Sequence, residues 1–451
     1  MSDPTLGAPA DQADSFDPIP YLRGLHQLIQ QQRLQYILSK TTKRRKRQRR
    51  LIDSSVIGLV IAMSLFADHS IPMVWRRLHP SQDQPEPDPS AFTKARQRLG
   101  VAPMRELFHQ LAQPNTPGAF YRGYQLMGID GTTLDLPDTP QNARVFGRGG
   151  NQRSPHPFPQ MRLLALCELG THAICDIALR PIRHNEQRMV GQLLKSLQPG
   201  MLLLWDRAFY GFDLIQSVLD CGCRLLMRVK ANYLIFQRTE TLCDGSYLSK
   251  IYSSYYNRTH DKNGHVVRII EYTHNDPNRP GYGVKNRLLT DLLDPVKFPA
   301  RELIVVYHQR WEEELAFDEI KTHLNDRDPH LRSKTPRAAV QELYGLLLAH
   351  RVLRQVMQDA AKLQSLDCDR LSFTATLRIV QCRLHESSTQ DVGRWYSGLI
   401  AEVTHHQLPE RRNRWYPRVI KRQRKKWHKK RPQHLRPPQP TKLFADAVVI
   451  T

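Results

Sequence analysis

The chain has 451 residues, 40% of them hydrophobic and 24% charged, which is enough for a sizeable core and two or three domains. Its formal net charge of +23 and pI of about 9.9 point to polyanionic partners, nucleic acid first among them. The composition argues against a membrane span: the longest apolar run, "VIGLVIAMSLFA", reaches only from Val56 to Ala67, and a spanning helix needs roughly 20 residues.

Residues 1–20 are polar, with no basic region leading into an apolar stretch, so no secretory signal is expected. The seven cysteines are odd in number and contain no CxxC pair, a pattern of reduced, buried thiols in a cytosolic protein. From Tyr21 the apolar residues recur at helical spacing, and residues 21–118 read as an all-helical, basic DNA-binding domain. It carries "KRRKRQRR" (Lys43, Arg44, Arg45 and on to Arg50), two helices broken near Asp68 and Pro72, and a helix "AFTKARQRLG" capped by Ser90 and ended by Gly100. On that last helix Lys94, Arg96, Gln97 and Arg98 are candidates for reading base edges, since Arg and Gln make bidentate contacts to guanine and adenine. Packing of the helix with only its polar side in solvent is the plainer alternative.

After Tyr124 the period changes to short apolar runs bounded by Gly, Pro and polar residues, which predict strands over 119–231. Two of them lead into an acid: "QLMGIDGT", placing Asp130 at a strand end, and "MLLLWDRAFY", placing Asp206 at another. A turn at Asp130 or a helix cap at Asp206 would explain either one alone. Residues 232–295 read as a β-rich insertion of hairpins, with Tyr252, Tyr255, Tyr256 and Arg258 available to stack on bases or meet phosphates. Helices return over 296–385, and 386–451 form a basic C-terminal region.

Within the returning helices lies "YHQRWEEELAFDEIK". Residues seven apart share a helix face, so Tyr307, Glu314 and Lys321 form one stripe, with Arg310 four residues before Glu314. A solvated, ion-paired helix is the bland account, and such pairs are worth only tenths of a kcal/mol. Three acids gathered at one end of a sheet would repel unless hard cations such as Mg²⁺ or Mn²⁺ joined them. In a basic chain that arrangement suits a phosphodiester substrate.

The spacing Tyr-x2-Arg-x3-Glu-x6-Lys, the strand-end aspartates in "MGIDGT" and "WDRAFY", and the order Asp, Asp, Glu together resemble the DDE transposases of the insertion sequence 4 group of bacterial mobile elements. The likeness spans roughly residues 20–350. It implies an α/β fold: a ribonuclease H-like catalytic core, a mixed sheet flanked by helices, with a β-rich insertion and an all-helical N-terminal domain. It implies catalysis and metal binding by Asp130, Asp206 and Glu314 with two Mg²⁺ ions, Mn²⁺ substituting. It also implies cut-and-paste transposition on terminal inverted repeats and target DNA, a homodimer in the DNA complex, and a cytoplasmic setting in bacteria. Tyr307, Arg310 and Lys321 are then expected beside the cleaved phosphate, with Arg207 and Lys230 as further DNA contacts. A nuclease of the same fold would share the first chemical step, and a DNA-packaging protein would share the basic runs but not the placed acids.

Overall fold

The computed structural model describes residues 29, 31–42, 51–79, 86–112, 120–150, 154–230, 236–273, 283–325, 330–388 and 391–409. The expectations for residues 1–20, for Lys43, Arg44 and Arg45, and for the tail beyond residue 409 lie outside them. Five helices open the described chain: α1 (Gln31–Thr41), α2 (Asp53–Leu65), α3 (Ile71–Leu78), α4 (Pro89–Leu99) and α5 (Ala102–Leu111). The cap of α4 is Asp88, whose carboxylate accepts the Ser90 amide at 2.8 Å, rather than Ser90 itself. Gly100, at φ 76°, ends that helix in a conformation that favours glycine.

Ten strands follow in one sheet: β1 (Phe120–Tyr121), β2 (Tyr124–Asp135), β3 (Gln160–Glu168), β4 (Ala173–Pro181), β5 (Met201–Trp205), β6 (Arg224–Arg228), β7 (Glu240–Thr241), β8 (Tyr247–Ile251), β9 (His265–Tyr272) and β10 (Asn286–Thr290). Between them lie α6 (Pro140–Phe146), α7 (Glu186–Val190), α8 (Phe212–Asp220) and α9 (Tyr255–Thr259). After the sheet come α10 (Ala300–His308), α11 (Trp311–Asp318), a π-helical turn (Glu319–Leu324), the long α12 (Pro336–Leu363), α13 (Phe373–Arg383) and α14 (Val392–Val403).

The strand order is β4-β3-β2-β5-β6-β10-β9-β8-β7, with β1 on β2. β3 pairs antiparallel with both β2 and β4, while β2, β5 and β6 run parallel. β5, "MLLLW", is buried along its whole length. Leu202 and Leu204 join the cluster under α10, and Leu203 and Trp205 join the one under α7 and α8, so alternation sends its side chains into two cores. This is the mixed, helix-flanked sheet of a ribonuclease H-like core.

Three sequence-based boundaries shift. The segment read as a separate insertion extends the same sheet, since β10 pairs antiparallel with β6 (Leu288 against Arg228) and carries β9, β8 and β7 outward. The N-terminal helices share one apolar core with α12, α13 and α14. α2 is buried from Ser55 to Leu65, Arg332 donates to the carbonyls of Met63 and His69, and Gln341 donates to those of Arg96 and Gly100. The globular part also runs past residue 386: Trp395 on α14 is buried and its indole N–H donates to the Arg383 carbonyl at 2.8 Å. Among the described residues no helix is long and apolar enough to cross a membrane. All seven cysteines are free, but not all are buried: Cys243 and Cys382 are exposed.

Candidate active site

The parallel pairing of β2 with β5 runs from Gln125 against Met201 to Gly128 against Leu204. Carried two residues further, the same register sets Asp130 beside Asp206. Asp130 is not at the end of its own strand, as the sequence suggested. β2 continues to Asp135 on β3 alone, and it is β5 that stops, at Trp205. The result is the same opening at the carboxyl ends of parallel strands, where open sheets place ligands.

Each aspartate is tethered through one oxygen. Asp130 Oδ1 accepts the Gly131 amide at 2.8 Å, and Asp206 Oδ1 accepts the Arg207 amide at 2.7 Å while capping the turn Arg207–Phe209. Burial pushes the Asp130 carboxyl up to about 6, against the pull of the Gly131 amide and the Arg310 guanidinium.

Glu314 comes from α11, which does not form one unbroken helix with α10. The chain turns once at Gln309 and Arg310, both still near helical dihedrals, so the stripe keeps most of its phase. The Tyr307 hydroxyl donates to the Trp205 carbonyl at 3.0 Å, tying α10 to the backbone just before Asp206. Arg310 places Nη2 at 3.3 Å from Glu314 Oε1 and Nη1 at 3.9 Å from Asp130 Oδ2. Burial opposes its charge, but the fields of Tyr307, Asp206, Asp130 and Glu314 outweigh that, so Arg310 senses all three acids. Lys321 lies in the π-helical turn and its Nζ donates to Thr132 Oγ1 at 3.3 Å, two residues along β2 from Asp130. Burial lowers its pKa.

The remaining sequence candidates divide. Arg207 and Lys230 are exposed where β5 and β6 end. Tyr255 and Tyr256 stand out from α9 into solvent, and the charge of Arg258 is felt at Tyr210, four residues after Asp206. Gln97 and Lys94 are exposed. Arg96 is not available as a base reader: it is buried and donates to Gln341 at 3.0 Å, Ser333 at 2.9 Å and the Ala338 carbonyl at 3.1 Å. Arg98 is likewise engaged, with the Leu51 carbonyl and Asp53.

Sequence reading missed what holds the Glu314 helix. On its inner side Glu319 meets Arg354 Nε at 2.9 Å, His350 at 3.0 Å and His172 at 3.0 Å, all buried. His172 also faces Glu312 at 3.3 Å and Asp369 at 3.6 Å. Burial would neutralise these groups, yet Arg354 and His172 hold Glu319 well below the carboxylate range. The acids in turn lift His172 to about 9 against its own desolvation. His172, Glu312 and Asp369 offer donor atoms within 4.8 Å of one another, a metal-like spacing. Arg354 and the protonated His172 already supply cations there, so the cluster reads as an ionic belt. Glu312 and Glu319 are also seven apart, so the rule that found Tyr307, Glu314 and Lys321 could have found this second face. His172 and Arg354 carried no such signal.

Glu313, between the two faces, is buried against Gly128, and neither carboxyl oxygen has a hydrogen-bond partner. Burial and the nearby Asp130 charge push its pKa far up, so it is a neutral acid wedged under β2.

Residues 21–109 match the family described as insertion element 4 transposase N-terminal, and residues 121–351 match the transposase DDE domain, about half of the chain. The transposase InsG for insertion sequence element IS4 of Escherichia coli (strain K12) is 29% identical over 393 residues, covering 83% of this chain and 86% of that protein. A solved piggyBac transposase synaptic complex with hairpin DNA overlays with a TM-score of 0.46 at 14% identity, over 88% of this chain and 87% of that one. With an N-terminal and a catalytic family matched in succession along it, the chain belongs to the insertion element 4 family of DDE transposases, polynucleotidyl transferases that act on DNA.

Proposed function

We propose that Asp130, Asp206 and Glu314 form the triad with which this transposase cuts the ends of its own insertion sequence and joins them to target DNA. The observation that carries this reading is the β2–β5 register, which brings two aspartates from residues 76 apart in sequence side by side, with the Arg310–Glu314 pair over them.

The family implies divalent metal, and the donors fit it. They are oxygens only, the Asp130 carboxyl is raised in the absence of a cation, and each aspartate keeps one oxygen clear of its backbone tether. Mg²⁺ or Mn²⁺ bound by Asp130, Asp206 and Glu314 would supply Lewis-acid polarisation and a water acidic enough to attack at neutral pH. The chain's own groups do the positioning. Tyr307 fixes the backbone before Asp206 through the Trp205 carbonyl. Arg310, freed from the acids once they are neutralised, offers a planar fork to a phosphate. Lys321 adds a second cation beside Thr132. Asp135 and Asp138 serve structure instead, the first held by Gln160 and the second by Arg148.

Recognition of the terminal repeats by the N-terminal helices, with Gln97 and Lys94 reaching bases and the Lys43–Arg50 run meeting phosphates, belongs to the same proposal. So do a homodimer on DNA, each subunit cutting one end, and a cytoplasmic location. Arg207, Lys230 and the α9 tyrosines are proposed to meet the strands leaving the site. The test is cleavage of a duplex carrying the repeat that flanks the gene, with Asp130→Ala, Asp206→Ala and Glu314→Ala. Each should abolish Mg²⁺-dependent cutting and leave duplex binding intact, and Ca²⁺ should support binding alone. A variant that cuts at the normal rate removes that residue from the triad.

A further inference from the structure

Away from the triad, an open cavity of about 760 Å³ lies along the outer edge of the sheet, where α5 and α12 approach β4. Its floor is apolar, including Phe146, Ile177 and Val340, and its rim carries Arg105, Arg180, Lys195 and Arg337. No lining residue is acidic. The four cations come from four elements: α5, β4, the turn after α7, and α12. All four are exposed, and none makes an ion pair among the described residues. Elsewhere the same chain pairs its arginines freely, as Arg122 does with Glu302 and Arg224 with Asp291. His109 adds no charge at neutral pH, because burial lowers its pKa; beneath it Asp176 is buried, 3.5 Å away, and bonded to Ser196.

Four unpaired cations around one groove repel one another and are stabilised by a polyanion. Their exposure separates this groove from a small-molecule pocket, which encloses most of its ligand. Its place in the fold suggests which polyanion. Arg180 pairs with Arg162, and Arg162 with Thr133, so Arg180 stands level with Thr133, three residues beyond Asp130. At ~3.3 Å per residue and ~4.8 Å per strand spacing, that is roughly 14 Å between the two backbones, with Arg180 and Asp130 on opposite faces of the sheet, so a duplex leaving the site would reach the groove round the β4 edge. Arg105 belongs to the N-terminal helices, and Arg180 and Arg337 to the catalytic body.

We propose that this groove tracks the phosphate backbone of the element's own end duplex as it passes from the active site to the N-terminal helices. The proposal rests on the transposase reading above and extends it to a second DNA-binding surface. It predicts sequence-independent affinity, because phosphate contacts position a duplex without reading it.

The experiment uses the full-length protein and a fluorescent duplex of its terminal repeat. Dissociation constants are measured from about 50 to 300 mM NaCl for the wild type, for Arg105→Ala/Arg180→Ala/Lys195→Ala, and for the charge-keeping Arg105→Lys/Arg180→Lys/Lys195→Arg. Each phosphate contact adds about 0.9 to the slope of log K against log salt. The alanine variant should lose roughly 2–3 from that slope and bind at least tenfold more weakly near 150 mM salt. The charge-keeping variant should stay near wild type. Cleavage at saturating protein with Mg²⁺ is a separate readout and should persist in both. Unchanged slope and affinity in the alanine variant overturn the proposal. So does normal end binding with lost joining to target DNA, which would make target the occupant. If the wild type binds with the expected slope yet never cuts, the transposase reading fails while the groove stands.

Discussion

The wedge of Glu313 under Gly128 gives a sharp mechanical prediction. A β-carbon built on Gly128 would lie 3.0 Å from Glu313 Cδ and 3.1 Å from Leu169 Cδ2, with Glu313 Oε2 nearer still. Gly128 lies between the paired strands β3 and β5 and cannot back away, so Gly128→Ala should drive α11 outward. Overpacking of this size costs about 1–3 kcal/mol. Glu313→Ala removes the obstacle. It forfeits about 2 kcal/mol of packing but also removes a buried acid without a partner, worth about 1–3 kcal/mol, so its net effect should be small. In that background Gly128→Ala meets only the end of the Leu169 side chain, at 3.1 Å, which can turn into the space Glu313 vacates, and alanine is better than glycine in a strand by about 0.5–1 kcal/mol. The substitution should therefore change sign, with a coupling of roughly 1.5–4 kcal/mol in a double-mutant cycle. Urea denaturation of the four proteins measures it. End cleavage should follow, falling in Gly128→Ala because the neighbouring Glu314 is displaced, and partly returning in the double variant. A coupling below about 0.5 kcal/mol would mean that the two residues do not press on each other, and the account of α11 would be wrong.

Two further outcomes can be measured. The Asp130 carboxyl is raised from 3.8 to about 6 on folding, so the folded chain holds more protons between those values, and metal-free stability should fall as pH rises through that window and stay low above it. Asp130→Asn should stabilise the metal-free protein by up to about 3 kcal/mol at pH 7.5, with no gain below about pH 4, and Mg²⁺ should stabilise the wild type alone, as read by urea denaturation. Arg354→Met leaves Glu319 buried without its strongest partner and should cost about 3–5 kcal/mol, most of it recovered by adding Glu319→Gln; a loss under about 1 kcal/mol would show that the belt does not hold the helix.

The site was easier to read in the sequence than the body that carries it. Asp206 announces itself because "MLLLW" is buried on both faces, so its end must open on the sheet rim. The stripe of Tyr307, Arg310, Glu314 and Lys321 survives the break after His308 because Gln309 and Arg310 remain near helical dihedrals. Asp130 does open on the sheet rim, but not for the reason read from the sequence: the end of β5, not of β2, exposes it. Arg96 was misread because a cation on a basic helix ordinarily faces water, and its partners Ser333, Ala338 and Gln341 lie more than two hundred residues away. The hairpins of 232–295 were visible in their turns and alternation, but nothing local says that β10 will pair with β6. The ionic belt was hidden for the same reason. Only folding brings His172, Glu319, Arg354 and Asp369 together.

The packing of α2 against α12 also has a consequence during synthesis. Gly345 approaches so close to Val60 that a β-carbon there would lie 2.6 Å from the Val60 carbonyl oxygen. Every residue of α2 from Ser55 to Leu65 is buried in the finished protein. On the ribosome, however, α2 emerges about 280 residues before the helix that covers it. At ~5–20 residues per second the wait is roughly 15–60 s, with an apolar helix uncovered on a nascent chain. A chain released before α12 would expose that surface and lack His350 and Arg354, the anchors of the Glu314 helix. Prematurely terminated products should therefore aggregate or be degraded before they can cut DNA, so that cutting competence arrives only once α12 has been made.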